Sequence, residues 1–377
     1  ILPNSIYEEY HNRSEQISII LAKEAKNVYL IKIDNSNKIE AVLFTFPFNR
    51  LLELNIIKTQ IDDKVNLLII PDINCDIYQK SEHYSKLLET IIQHYNIDVV
   101  INSSFDFFSI PESVLNKIYY FYDISEDYLE IEDQPVNKAF ISHFIETELY
   151  KADYNITSSK TLSYTYRQKY WTDFIYLPNT IDVEYAEEPE YLYIKDKLFA
   201  NYKIENYNTK ILSVLDLPLY GRNLDLILKA FINVKKRLDF PVKLIISTQT
   251  NIIAKYYNDK DIIFENIVSD EQLRELFIIT NVGAVPLAHC KYTDHSLPVA
   301  LIEYGLFHKI VISTPTEELQ HHHLPHIIYA SPEQQKWEDA IVWAFSENWK
   351  NLWDTSINFY KTSSFITVMN RLLMKGK

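Results

Sequence analysis

The sequence predicts an α/β protein made of two doubly wound, Rossmann-like domains that face a cleft. Three observations lead there. Short, β-rich apolar runs alternate with longer amphipathic segments, and the runs are continuous in the way of strands buried on both faces of a parallel sheet with right-handed crossovers. The rhythm occurs twice, on either side of a charged stretch, VEYAEEPEYLYIKDKLFANYKIENYNTK, which follows Asp182 and contains no strong strand. The length, 377 residues, exceeds one ordinary core, while 47% hydrophobic residues supply material for two.

In the first half, strands are predicted over 27–33, 40–45, 66–70, 98–101, 117–122, 154–158 and 174–177, with helices over 14–26, 80–95 and 136–151. In the second half, strands over 210–215, 243–247, 262–265, 282–285 and 310–313 alternate with helices over 223–237, 270–280 and 299–306. Residues 337–373 read as a helical, aromatic tail. In paired domains of this kind ligands bind at the carboxyl ends of the strands, in the cleft between the domains.

Composition narrows the partners. There are 37 basic against 51 acidic residues, a net charge of -14, the wrong sign for displacing counterions from an extended polyanion, so nucleic acid is not expected as a partner. Two cysteines, Cys75 and Cys290, stand far apart and imply a reducing compartment rather than a disulfide framework. No run of roughly 18 apolar residues is present to span a bilayer, the opening ILPNS lacks a secretion-signal pattern, and no strongly basic amphipathic helix stands out. The expected location is cytoplasmic, with a place at the inner face of the membrane left open for a lipid-linked acceptor. Only four glycines occur, Gly221, Gly283, Gly305 and Gly376. A glycine-rich phosphate loop is thereby excluded, and phosphate contacts fall to side chains and non-glycine backbone.

The most informative stretch runs from Ser269 to Thr314. It reads as a helix, a strand, a polar loop over 289–296, a helix beginning near Pro298 and another strand. Proline suits the first helical turn, and the free N–H groups of Ser296, Leu297 and Val299 beside Pro298 form a ready anion site. Glu303 lies about one and a half turns into the helix, on a face that reaches the cleft. Alone, Glu303 also reads as a solvated surface acid. Arg222, followed by Asn223, opens an earlier helix, where a cation opposes the helix dipole and so favours an anionic ligand. Asp123 follows a strand, as catalytic acids and plain turn residues both do. The run HHHLPH (321–326) lacks metal-ligand spacing, and no metal is expected.

These motifs resemble the donor site of GT-B retaining glycosyltransferases, in particular family 4 of the sugar-transferase classification. The likeness rests on ITNVGAVPL, SLPVALIEYG and KIVIST, set against a signature in which one Glu, seven residues and a second Glu precede a strand. The resemblance implies that Glu303 is the second Glu and bonds the nucleotide ribose. His295 occupies the first Glu position, which faces the donor sugar or its phosphate, with Asp294 beside it. KILSVLDLPLYGRNLDLILKAF resembles the family's first donor-domain strand, loop and helix, so Arg222 would clamp the diphosphate. Asp216 and Leu217 stand where a second basic residue is usual. ADYNITSSKTL…YLPNTID (152–182) is similar to the stretch that closes the acceptor domain. The N-terminal segment with Arg13, and KIYYFYDISEDY, are similar to the family's opening motifs. They imply Asp123 as the acceptor-side catalytic residue, with Glu126 and Asp127 behind it.

The implied organisation is an acceptor domain over 1–182, a donor domain over 183–354, and a tail helix over 355–377 crossing back onto the first domain. The implied reaction moves a sugar from a nucleotide-diphosphate sugar to an acceptor hydroxyl with retained configuration, needing no metal or cofactor beyond that donor. The acceptor would be a glycan, glycolipid or protein in surface polysaccharide or glycoconjugate synthesis, with peripheral membrane contact as an added partner. The alternatives are a GT-B-shaped binding or scaffold protein without turnover and a nucleotide-sugar epimerase of similar shape.

Overall fold

In a computed structural model the chain is described over residues 17, 28–40, 57–60, 65–74, 77–103, 108–179, 198–202, 204, 206, 208–216, 222–248, 259–265, 270–322 and 324–346. Arg13, nearly all of the helix expected over 14–26, the domain junction at 182/183 and the tail at 355–377 lie outside them. The chain divides into two compact units, Ile1–Pro178 with Ser363–Lys377, and Asn179–Thr362.

Among the described residues the first unit holds two sheets. In one, β1 (Val28–Glu40) runs parallel to β3 (Val65–Asn74), and β2 (Ile57–Gln60) pairs antiparallel with β3. The sequence reading put a strand end at 33 and overlooked β2, whose IKTQ offers no apolar run; in the structure β1 continues to Glu40 through a register shift between Asp34 and Ile39. In the other, β4 (Val99–Asn102), β5 (Tyr119–Ile124), β6 (Tyr154–Thr157) and β7 (Ile175–Tyr176) are parallel and in sequence order. Helices α1 (Ile77–Tyr95), α2 (Glu112–Leu115), α3 (Tyr128–Ile131), α4 (Pro135–Lys151) and α5 (Lys160–Tyr170) connect them. The helix α5 was not expected, because KTLSYTYRQKY is rich in residues that favour strands. It forms behind an N-cap, with the Ser159 hydroxyl accepting from the Leu162 N–H at 3.0 Å.

Strand β5, YYFYDI, is buried on both sides: Tyr120, Tyr122 and Ile124 join the core under α1 and α4, and Phe121 packs with Ile101 and Ile156. Such a core tolerates a buried carboxylate only if it is fully bonded. Glu148 of α4 meets that condition, accepting from the Ser109 hydroxyl at 2.6 Å, the Tyr120 hydroxyl at 2.7 Å, the Ile110 N–H at 3.1 Å and Lys151 at 2.9 Å.

The second unit is a single six-stranded parallel sheet of β8 (Lys210–Asp216), β9 (Val242–Thr248), β10 (Ile262–Glu265), β11 (Val282–Val285), β12 (Ile310–Ser313) and β13 (Ile327–Tyr329). Its spatial order is β10-β9-β8-β11-β12-β13. The chain starts at the centre, winds outward to one edge, then returns to the centre and winds to the other, the doubly wound arrangement. The helices are α6 (Leu224–Val234), α7 (Asp270–Ile279), α8 (Lys291–Asp294), α9 (Val299–Leu306), α10 (Glu317–Gln320) and α11 (Gln334–Ser346). Alternate strand residues serve opposite faces. Ile211, Ile245 and Val311 pack with α7 and α9, while Leu212, Leu244, Ile246 and Ile312 pack with α6 and α11.

Two buried histidines carry a pH consequence. His326 lies against α9, its Nε2 3.1 Å from the Leu301 carbonyl, and burial holds its pKa below the usual value. His83 of α1 is lowered by burial and then by Lys86. A depressed histidine binds its proton more readily in the unfolded chain. The stability is therefore present above about pH 6.5 and is lost as pH falls through the folded-state pKa. Thermal melting between pH 8 and 5 is expected to fall on the acid side, and His326→Gln is expected to flatten that limb; a variant with an unchanged limb contradicts the assignment.

Candidate functional site

The sheet order of the second unit puts its topological switch between β8 and β11, and in open α/β sheets the crevice outside the carboxyl ends at such a point is the binding site. The segments leaving these two strands meet there. Arg222 forms an isolated antiparallel bridge with Leu287, and the Asn223 N–H donates to the Pro286 carbonyl at 3.0 Å. The Leu287 N–H in turn donates to the Thr314 hydroxyl beyond β12, at 3.0 Å. Arg222 thus stands at the switch point, half-buried, one residue before Asn223, the N-cap of α6.

The loop after β11 is tighter than the sequence reading suggested. The polar loop expected over 289–296 contains α8, stitched by Thr293, whose hydroxyl donates to the Ala288 carbonyl at 2.6 Å and accepts from the Cys290 N–H at 3.2 Å. His295, 8% exposed, is the C-cap of α8. Ser296 turns its hydroxyl back to the Tyr292 carbonyl at 2.7 Å, and its N–H donates to the Thr293 carbonyl at 3.2 Å. Its amide is therefore used within the loop. Pro298 is the N-cap of α9 rather than its first helical residue. The Leu301 N–H donates to the Pro298 carbonyl at 3.1 Å, so Val299 and Ala300 precede the first hydrogen bond of this helix. The Leu297 carbonyl accepts from the Asn179 side chain at 2.9 Å.

Glu303 is 4% exposed, on a helix buried from Ala300 to Leu306. A surface acid would not sit there. Beside it, the Tyr304 hydroxyl donates to the Ser213 carbonyl at 3.1 Å and lies 2.9 Å from the Ser213 hydroxyl, which also accepts from Thr280 at 2.7 Å. Burial raises the Tyr304 pKa, the bond to Ser213 opposes that rise, the Glu303 charge adds to it and the Arg222 charge counters it. Sequence reasoning overlooked this network, although Ser213 interrupting the apolar run KILSVLD was a visible signal.

In the first unit the carboxyl ends of β4, β5 and β6 gather polar groups. Asp123 is 1% exposed and accepts from the Ser103 hydroxyl at 3.2 Å. Ser158 donates to the Ser125 carbonyl at 2.6 Å, and Tyr166 donates to Asp127 at 3.1 Å. Glu126, between Ser125 and Asp127, is half-buried. Of the histidine run, His322 pairs with the buried Glu318 at 2.8 Å and His326 serves α9. Among the described residues no three His, Cys, Asp or Glu gather as a metal site, and no helix is long and apolar enough to cross a membrane.

Neither a family model nor a curated protein sequence matches the chain. Solved structures do match in fold. The Anabaena HepE protein, in complex with UDP and glucose, superposes with a TM-score of 0.68 at 11% identity, over 99% of this chain and 98% of that one. A sucrose-phosphate synthase from Thermosynechococcus elongatus gives 0.65 at 10% identity, over 96% and 91%. A UDP-forming trehalose-phosphate synthase from Burkholderia xenovorans, in complex with glucose-6-phosphate, gives 0.66 at 10% identity, over 95% and 94%. The chain has the GT-B fold of these proteins, with two Rossmann-like units.

The position of Glu303 depends on Gly283 of β11. The Tyr304 ring covers that α-carbon so closely that a Cβ would come within 2.7 Å of it. Gly283→Ala must push the ring away, at a cost of about 1–3 kcal/mol by the usual penalty for overpacking. A lowered denaturation midpoint for the second unit is the expected result; an unchanged midpoint contradicts the close approach.

Proposed function

We propose that this chain is a glycosyltransferase that takes a sugar from a nucleotide-diphosphate donor held by its second unit and passes it to an acceptor hydroxyl. The observation that carries the reading is the meeting of Arg222 with Leu287 at the switch point, together with the burial of Glu303 on α9. A guanidinium and two helix-terminal amides suit a diphosphate, and a buried carboxylate suits a ribose diol. The likeness in fold to HepE with bound UDP and glucose, and to a UDP-forming synthase, makes UDP the first nucleotide to test.

In the proposed reaction the bond between the anomeric carbon and the phosphate oxygen breaks, and the acceptor oxygen forms the new bond on the same face. The pair of electrons leaves with the nucleoside diphosphate, whose departing phosphate oxygen takes up the acceptor hydroxyl's proton. Arg222, assisted by the Val299 and Ala300 amides, stabilises that growing charge. Glu303 holds the ribose, Asn223 and Leu297 shape the rim, and His295 contacts the donor sugar or its phosphate. On the acceptor side Glu126 is more accessible than Asp123, which Ser103 holds in the interior. The donor is a substrate, so no cofactor or metal is assigned. The acceptor is a glycan, glycolipid or protein, and the setting is cytoplasmic, in surface polysaccharide or glycoconjugate synthesis. A second reading, a binding protein without turnover, draws on His295 where the resembled family has a carboxylate, and on Asp216 at the end of β8.

Thermal-shift measurements with UDP, GDP, ADP, CMP and their sugars test the reading. One nucleotide series is expected to raise the melting point in proportion to its affinity. Arg222→Ala is expected to lower transfer about 10²–10³-fold, and Glu303→Ala to weaken nucleotide binding about tenfold or more. If no nucleotide or nucleotide sugar shifts the wild type, the donor site is disproved. A shift without transfer or nucleotide release selects the binding-protein reading.

A further inference from the structure

Glu148 of α4 is a fully buried carboxylate that the donor chemistry does not use. Its neighbours on the helix, Phe144, Ile145 and Leu149, all belong to the core of the first unit. An apolar residue at 148 would extend that core, and replacing a buried charge by a well-packed hydrophobe is often neutral or stabilising. Stability alone therefore gives no reason for a carboxylate at this place. The direction of its bonds does.

The Ser109 hydroxyl and the Ile110 N–H, both from the connection between β4 and α2, donate to it at 2.6 and 3.1 Å. The Tyr120 hydroxyl of β5 donates to it at 2.7 Å and accepts from the Asn102 side chain at 3.1 Å. Burial, and then the charge of Glu148, hold the Tyr120 pKa well above its usual value, so this hydroxyl keeps its proton and remains a donor. Asn102, at the end of β4, also donates to the Phe108 carbonyl at 2.7 Å. Lys151, one turn along α4, reaches the Ser109 hydroxyl at 2.7 Å and the Ile110 carbonyl at 2.9 Å. One carboxylate thus ties the two ends of the connection, Asn102 and Phe108–Ile110, to each other and to α4. Ser103, the residue after Asn102, donates to Asp123 at 3.2 Å.

We propose that Glu148 is a positioning residue for the acceptor side: through Tyr120 and Asn102 it fixes the Ser103–Asp123 pair at the carboxyl ends of β4 and β5. The proposal rests on the reading that the first unit takes the acceptor. Glu148 touches no reacting atom and has no part in holding the nucleotide.

Hydrogen–deuterium exchange of the full chain without ligand, paired with transfer kinetics, tests it. Tyr120→Phe removes only the hydroxyl between Glu148 and Asn102, and Ser109→Ala removes one donor from the half-buried rim. Both are expected to speed exchange at Ser103 and Phe108–Ile110 about tenfold, with β11 and α9 unchanged. Ser109→Thr keeps the hydroxyl and is expected to exchange like wild type. With glucose and glucose-6-phosphate as acceptors, Tyr120→Phe is expected to raise the acceptor KM about tenfold or more and to leave the donor KM as it was. Glu148→Gln is expected to do the same more strongly; should it fail to fold, the other two variants still decide. Unchanged exchange at Ser103 and Phe108–Ile110 would overturn the proposal. So would faster exchange with an unchanged acceptor KM, or Ser109→Thr behaving like Ser109→Ala. A wild type that binds no nucleotide sinks the donor reading instead, and exchange, read without ligand, still decides whether Glu148 holds this connection.

Discussion

Tyr304 can cover the sheet only because residue 283 has no side chain, and the second unit is organised around that contact. Helix α9 is buried over nearly its whole length and is apolar on most sides. Hydrophobic burial has no direction and would accept the helix in several rotations. The hydrogen bonds of Tyr304 to Ser213, themselves braced by Thr280, select one. Neighbouring residues on a helix are turned by about 100°, so fixing Tyr304 also fixes the direction in which Glu303 leaves the helix. From below, Gly305 admits His326, which a Cβ would approach to 2.9 Å. Two of the chain's four glycines are thus spent on the close packing of one helix, and neither lies in a phosphate loop.

The proposed donor site has no glycine-rich turn, so a diphosphate there would need positive charge from other groups. Here the backbone bridge between Arg222 and Leu287 sets a guanidinium at the switch point, and the Thr314 hydroxyl braces that bridge from the neighbouring strand. The amide of Ser296 is consumed inside the loop, so the proposal assigns the diphosphate to the Val299 and Ala300 amides at the start of α9.

Much of this was legible in the sequence. The strands expected over 262–265, 282–285 and 310–313 match β10, β11 and β12 residue for residue; β11 and β12 are buried throughout and appear as short apolar runs. Elements that depend on tertiary context escaped: β2 and β13 are short edge strands, and α5 needs its Ser159 cap and the core beneath Leu162 and Tyr166 to override strand-prone residues. The separate roles of Arg222 and Glu303 were suggested by a resemblance. The part played by Tyr304 was not, because it rests on contact between residues distant in sequence, which no local pattern records.

Hydrogen–deuterium exchange with and without UDP or GDP tests the central claim most directly, since it reports where a nucleotide makes contact. The account expects slowed exchange in two segments, around Arg222–Asn223 and across Leu287–Ala300, with the Val299 and Ala300 amides among the most protected. Protection confined to other parts of the sheet, or none at nucleotide concentrations that raise the melting point, would contradict a donor site at the β8–β11 switch.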